Sequence, residues 1–195
     1  MEKAELRGRV LAERSRRPPA ERTAAGRLLR DVLLELPQLQ MAGTVAAYYS
    51  VGAEPDTRGL LYALWKRGTY VLLPVLRPDG DLDWASFEGP DSLVPGPRGL
   101  LEPGEPVRGA AAVTRADVVL VPALAVDQAG NRLGRGGGSF DRALARVAPS
   151  IPAIALLYDE ELVETVPTHP HDRPVTAVAR PSHPLTACHW RQRSR

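Results

Sequence analysis

Residues 44–75 read TVAAYYSVGAEPDTRGLLYALWKRGTYVLLPV, and this stretch decides the fold. Its first six residues, 44–49, are apolar and β-prone and stop at Ser50-Val51-Gly52. That pattern predicts a buried strand running into a loop. Asp56 or Thr57 can cap a helix over 58–67, and Gly68 closes it. Residues 69–75 read as the next strand. Short connections through a helix make the two strands parallel neighbours, which predicts an α/β sheet.

Working outward, residues 2–16 and 20–36 read as helices. The first carries Leu6, Val10 and Leu11 on an apolar stripe with charges elsewhere; the second carries Leu28, Leu29, Val32, Leu33 and Leu36 and stops at Pro37. Six prolines break up residues 77–110, leaving only the short strand LDWASF, so this segment reads as an excursion over the sheet edge. DVVLV at 117–121 is the most strand-like segment of the chain. A helix over 139–147, a strand over 153–157 and a weaker strand over 174–179 continue the alternation. The expected architecture is a single α/β domain over residues 1–180, a three-layer α/β/α arrangement with a mostly parallel sheet. Residues 181–195 are expected to be a poorly ordered tail.

Composition narrows the function classes. A net charge of +2 with dispersed arginines gives no footprint for nucleic acid. No apolar run is long enough to span a bilayer, and the charged N-terminus does not read as a secretory signal. A single cysteine, Cys188, fits a reducing cytoplasm. Only Lys3 and Lys66 among the 25 basic residues are lysine, so a lysine carries more information here than an arginine.

The chemistry is expected at NRLGRGGGSFDR, residues 131–142. Four glycines in five positions let a ligand approach the backbone, and free N–H groups in such a turn form an anion-binding concavity. The following helix offers its N-terminus to the same ligand. The run is not a Walker A motif, because no Gly-Lys-Ser/Thr follows, and it fits a dinucleotide fingerprint poorly. Asp141 can cap the helix or hold a metal, and Asp172 can complete a hard-cation site, since Mg²⁺ takes one or two carboxylates plus phosphates. His169 and His171 read as exposed loop histidines. No serine or cysteine nucleophile pattern is present. Strand ends at 49, 121 and 157 place their loops on one rim, where ligands bind in open parallel sheets. A phosphate cradle, arginines and two Mg²⁺ carboxylates describe phosphoryl transfer.

Four segments carry a resemblance: KAELR at 3–7, YYSVGAEPDT at 48–57, VPALAVDQAGNRLGRGGGSFDR at 121–142 and PHDRPV at 170–175. In order and spacing they resemble the 5-formyltetrahydrofolate cyclo-ligase family, also called methenyltetrahydrofolate synthetase, over roughly residues 3–180. The resemblance implies an ATP- and Mg²⁺-dependent, monomeric, cytoplasmic enzyme. It would phosphorylate the formyl oxygen of 5-formyltetrahydrofolate, and closure to 5,10-methenyltetrahydrofolate would release ADP and phosphate. It implies ATP contacts from Lys3, Arg7 and the run Arg132, Leu133, Gly134, Arg135, Gly136, Gly137, Gly138, Ser139 and Phe140. Arg135 would stabilise the transferred phosphoryl group and also touch the folate. Tyr49, Glu54 and Ser139 would contact the folate, and Asp141 and Asp172 would hold Mg²⁺. Two tyrosines common in the family are replaced by Ser139 and Phe140, and a carboxylate common after Asp172 is replaced, with Thr176 in its position. The alternatives are a non-catalytic nucleotide- or folate-binding module descended from such an enzyme, and a sugar-phosphate isomerase using Glu54 as base.

Overall fold

The computed structural model describes residues 2–189. The chain opens with α1 (Lys3–Arg16) and α2 (Pro19–Leu34). Pro37, expected only to stop a helix, opens the one-turn α3 (Pro37–Gln40), because its fixed φ suits the first helical position. Next come β1 (Thr44–Ala46), α4 (Arg58–Lys66) and β2 (Tyr70–Leu76), with Val45 opposite Val71 in a parallel pair. The predicted crossover is therefore present. β3 (Leu82–Ser86) returns antiparallel to β2.

The proline-rich segment also folds into a hairpin that the sequence did not suggest, β4 (Leu93–Pro95) with β5 (Leu101–Pro103). A separate two-stranded ribbon tolerates proline, because half of its backbone donors have no ladder to join. β6 (Val118–Pro122) lies parallel to β1. Then β7 (Ala125–Asp127) and β8 (Arg132–Leu133) form a second unexpected hairpin immediately before the glycine run. The chain continues through α5 (Ser139–Leu144), β9 (Ala153–Leu156), β10 (Leu162–Val163), β11 (Ala177–Arg180) and β12 (His183–Ala187).

The main sheet runs β12-β11-β9-β6-β1-β2-β3, parallel except at its two edge strands. One face packs against α2, α3 and α4 through Leu29, Leu33, Leu39, Leu60, Leu61 and Leu64. The opposite face is covered more thinly, by a 3₁₀ turn at Ala110–Arg115 and by α5, around Trp84, Val113 and Leu144. A small sheet, β10-β7-β8, supports α1, whose Leu6 and Val10 pack on Leu124 and Leu133.

Two expectations change. The helix expected over 139–147 is only six residues long. Pro149 disfavours helical geometry at Ala148, and the last turn tightens through Val147 N–H to the Leu144 carbonyl. So short a helix carries little macrodipole. The expected tail is also ordered in part: His183–Ala187 pairs with β11 and covers what would be an open sheet edge. The N–H groups of Cys188 and His189 then bond the carbonyls of Thr176 and Gln128, both at 2.9 Å. Burial, with a smaller contribution from the Asp127 charge, pushes the Cys188 thiol up to about 11, which keeps it in the protonated form. The remainder of the expected tail, 190–195, lies outside the described residues. Among the described residues no helix is long and apolar enough to cross a membrane.

Candidate active site

The chain leaves β1 through α4 onto one face of the sheet, and leaves β6 through α5 toward the other. Neighbouring strands whose connections diverge in this way leave a crevice at their carboxyl ends. A cavity of about 730 Å³ opens there. Its walls come from α1, the loop after β1, the glycine run, residues 169–172 and the tip of the β4–β5 hairpin. That hairpin, with Arg98, Leu100 and Leu101 facing the cavity, gives the proline-rich segment a place beside the site.

The loop after β1 is held by reciprocal bonds. Ser50 N–H donates to Thr57 Oγ1 at 2.9 Å, and Thr57 N–H donates to Ser50 Oγ at 3.1 Å. Asp56 accepts from Arg58 N–H at 2.9 Å and pairs with the Arg58 guanidinium, so it serves the start of α4. Glu54 is fixed by Val51 N–H on Oε2 at 2.9 Å, and its Oε1 accepts from Arg135 Nε at 3.1 Å. Tyr48 is buried and Tyr49 half-buried just beyond β1, and both border the cavity. Burial and the nearby Glu54 charge hold the Tyr48 phenol well above its ordinary value, so it is a neutral hydroxyl.

The glycine run turns through positive φ at Gly136 (109°) and Gly138 (67°), which an L side chain resists. Arg135 is 55% exposed at the mouth; its Nε donates to Glu54, and its Nη1 and Nη2 donate to no protein partner among the described residues. Arg132, in contrast, is buried: Nη2 donates to Asp141 Oδ1 at 2.8 Å and Nη1 to the Pro122 carbonyl at 3.3 Å. Leu133 packs into the α1 cluster, so it borders the cavity as an apolar wall. Ser139 Oγ donates to the Gly80 carbonyl at 2.6 Å, and Arg142 Nη2 reaches the same carbonyl at 2.6 Å. These bonds tie the run to the β2–β3 turn, a link with no signal in the sequence. The Phe140 ring sits edge-on to Tyr48 and Trp84, at 6.5 and 6.2 Å, so it is a packing residue.

On the other wall, Lys3 Nζ pairs with Asp172 Oδ2 at 2.5 Å, and Arg7 Nε donates to the Gly134 carbonyl at 3.1 Å. Burial by itself would raise the Asp172 carboxyl; the bonds from Lys3 and from His169 N–H outweigh it and hold the group below its ordinary value. His169 and His171 stack at 5.6 Å beside it. Arg14 also lines the cavity, and the sequence reading missed it. Lys3, Arg7 and Arg14 recur at a helical spacing that places them within about 40° of one another, so the stripe was there to be read. It was hidden because the face carrying them also carries Leu6 and Val10.

Opposite charges to which the resemblance gave ligand roles therefore pair with one another: Lys3 with Asp172, Arg132 with Asp141, and Arg135 with Glu54. Asp141 does not cap α5 through its side chain. Its Oδ1 accepts from Arg132 and from Arg173 N–H at 3.0 Å. Asp172 spends Oδ2 on Lys3 and His169. Each carboxylate thus keeps one oxygen without a hydrogen bond among the described residues. Two such oxygens suit a Mg²⁺ ion that draws its other ligands from phosphates and water. No cluster of three or more His, Cys, Asp or Glu capable of holding a metal by itself occurs among the described residues. The cavity combines unpaired guanidinium donors, a close-approach backbone and an apolar wall, and so suits an anionic group and a flat ring system together.

Comparison with known proteins places the chain in a family. The model of the 5-formyltetrahydrofolate cyclo-ligase family matches residues 1–181. The 5-formyltetrahydrofolate cyclo-ligase of Mycolicibacterium smegmatis is 41% identical over 191 residues, 95% of this chain and 96% of that protein. The Escherichia coli K12 cyclo-ligase is 34% identical over 84% of this chain and 92% of its own length. The solution structure of Aquifex aeolicus 5,10-methenyltetrahydrofolate synthetase superposes with a TM-score of 0.83 at 27% identity, covering 100% of this chain and 96% of that one. With the fold, the length and the sequence all matched, the chain belongs to the 5-formyltetrahydrofolate cyclo-ligase family.

Proposed function

We propose that the chain converts 5-formyltetrahydrofolate to 5,10-methenyltetrahydrofolate at the expense of ATP, with the formyl oxygen phosphorylated first. The formyl oxygen attacks the γ-phosphorus and ADP leaves. N10 then attacks the activated carbon, and phosphate departs with the former formyl oxygen. An amide oxygen is a poor leaving group and a phosphate is a good one, so no protein nucleophile is required. The observation that carries this reading is convergence: Lys3, Arg7 and Arg135 meet at one cavity, with Arg7 bonded to Gly134 across 127 residues.

Lys3 and Arg7 bind the nucleotide phosphates. Arg135 keeps Nε on Glu54 and directs its outer nitrogens at the transferred group, a fork geometry suited to phosphoryl oxygens. Mg²⁺ would be held by Asp141 and Asp172 and would supply neutralisation of phosphate charge. Lys3 and Asp172 would exchange each other for phosphate and metal, so that no charge is left unpaired. Tyr49, Glu54 and the apolar wall take the folate.

The test is a spectrophotometric assay for methenyltetrahydrofolate with 5-formyltetrahydrofolate, ATP and Mg²⁺. Product that depends on ATP supports the reading; folded protein that yields none removes it.

Gly137 offers a sharper check. Its φ is not positive, and the nearest atom to an added Cβ is Ser139 Oγ at 3.6 Å, so the fold does not require glycine there. Close approach by a phosphate does. Gly137→Ala is expected to keep its stability, or to gain roughly 0.5 kcal/mol, while KM for ATP rises about 10-fold, as a lost phosphate contact implies. An unchanged KM for ATP would clear that position of phosphate contact. For the metal, Asp141→Asn is expected to raise the Mg²⁺ concentration for half-maximal rate by about 10-fold or more. An unaltered Mg²⁺ titration would leave Asp141 as the partner of Arg132 alone.

A further inference from the structure

One buried cation on the cavity wall is not used by the phosphate and metal chemistry. Arg14 is 2% exposed and still borders the cavity. Burying a guanidinium is costly unless its donors are paired. Nε donates to Glu161 Oε1 at 2.6 Å, and Nη2 donates to Glu161 Oε2 and to the Ala123 carbonyl, both at 2.7 Å. Nη1 has no hydrogen-bond partner among the described residues. It is not sealed in either: the fully buried orphan atoms are Arg17 Nε, Trp84 Nε1, Arg132 Nε and Arg180 Nε. The remaining donor of Arg14 is therefore not fully buried, and the cavity is the space this residue borders, with the guanidinium held by a carboxylate and a carbonyl.

Its neighbours place it at the Glu54 end of the site. The Arg14 guanidinium lies 5.6 Å from the centre of the Tyr158 ring, and the Tyr158 hydroxyl donates to the carbonyl of Ala53, the residue before Glu54. Burial works against the Arg14 charge, and Glu161, with smaller help from Tyr48 and Glu54, more than restores it. A fixed cation with one free N–H pair at the end of a cavity that takes a flat ring suits a ring or acyl oxygen that can only accept.

We propose that Arg14 is a substrate-binding residue, whose Nη1 donates a hydrogen bond to an acceptor oxygen of the bound reduced pterin. The Glu161 carboxylate and the Ala123 carbonyl act as the brace that aims it. This proposal rests on the cyclo-ligase reading of the same cavity.

The test compares the wild type with the double variant Arg14→Met/Glu161→Gln, which removes both buried charges together and so avoids stranding one. Initial rates are measured against each substrate, and 5-formyltetrahydrofolate binding is measured without ATP by calorimetry. The expected result is a KM and a Kd for 5-formyltetrahydrofolate about 10-fold or more higher, with KM for ATP within about twofold, as loss of one charged hydrogen bond to the folate implies. A folded double variant with unchanged folate KM and Kd overturns the proposal and leaves Arg14 a structural ion-pair residue. If the double variant does not fold, Arg14→Lys keeps a charge for Glu161 but has one nitrogen in place of three and none left for the folate; the same rise in folate KM is expected, and its absence overturns the proposal. A wild type that forms no methenyltetrahydrofolate removes the cyclo-ligase reading itself, and this proposal with it.

Discussion

Replacing Arg135 by alanine lowers kcat of the cyclisation by about 10²-fold or more, the usual cost of losing one preorganised donor to developing charge. The geometry sets the expectation. Arg135 stands at the mouth with Nε on Glu54 and two outer nitrogens free, so the fork is oriented before any ligand arrives. A phosphoryl group in transfer gains charge on its equatorial oxygens, and preorganised donors cost no reorganisation at that moment. Because the contribution strengthens in the transition state, kcat falls more than KM for ATP rises. Arg135→Lys keeps the charge but loses the fork, and is expected to fall between the two. Steady-state rates in both substrates check this; an unchanged kcat in Arg135→Ala would withdraw Arg135 from the chemical step.

Glu161→Ala produces the largest loss of stability, about 3–5 kcal/mol, as expected when one partner of a buried ion pair is removed. Arg14 would remain as a buried cation with Nε unpaired and Nη2 left only the Ala123 carbonyl. The Tyr158 N–H, which donates to Glu161 Oε2 at 2.9 Å, would be orphaned as well. At roughly 2–4 °C per kcal/mol for a chain of this size, Tm falls by roughly 6–20 °C. Urea unfolding at constant m-value is the measurement. Glu161→Gln keeps one acceptor oxygen, enough for Arg14 Nη2 and the Tyr158 N–H but not for Arg14 Nε as well, and is expected to cost less than alanine. A loss below about 1 kcal/mol in Glu161→Ala would place this pair with ordinary solvated ion pairs. The same pair holds α1 against the loop after β9, alongside the packing of Leu6 and Val10, so it contributes both to stability and to the position of Lys3 and Arg7.

Much of the architecture was legible because its signals are local. The strand–helix–strand of residues 44–75, the strands of 117–121 and 153–157, and the site rim follow from apolar runs, turn residues and short connections. Hairpins β4–β5 and β7–β8 were not legible, since short strands held by neighbours carry no periodicity of their own. The edge strand His183–Ala187 escaped for the same reason: with two prolines nearby it reads as a tail, and only the open edge of β11 recruits it.

The site divides along the same line. Composition of the glycine run marked it for phosphate, and spacing put Lys3 and Arg7 on one helix face. Ligand roles for Ser139 and Phe140 were implied by the family resemblance; the structure gives one a bond to Gly80 and the other two aromatic partners. Arg14 was not legible as a site residue because the helix face that carries it also carries the core residues Leu6 and Val10.

By itself the sequence determined the parallel α/β sheet, the rim on which the loops meet and the family to which the chain belongs, because backbone propensity and side-chain periodicity act within a few residues. Tertiary structure alone decided which charges face one another: Lys3 with Asp172 across 169 residues, Arg14 with Glu161 across 147, and Arg135 with Glu54 across 81. Coulomb attraction and hydrogen bonding fall off over a few ångströms of space, not of chain, so those partners exist only once the sheet has brought its loops to one rim.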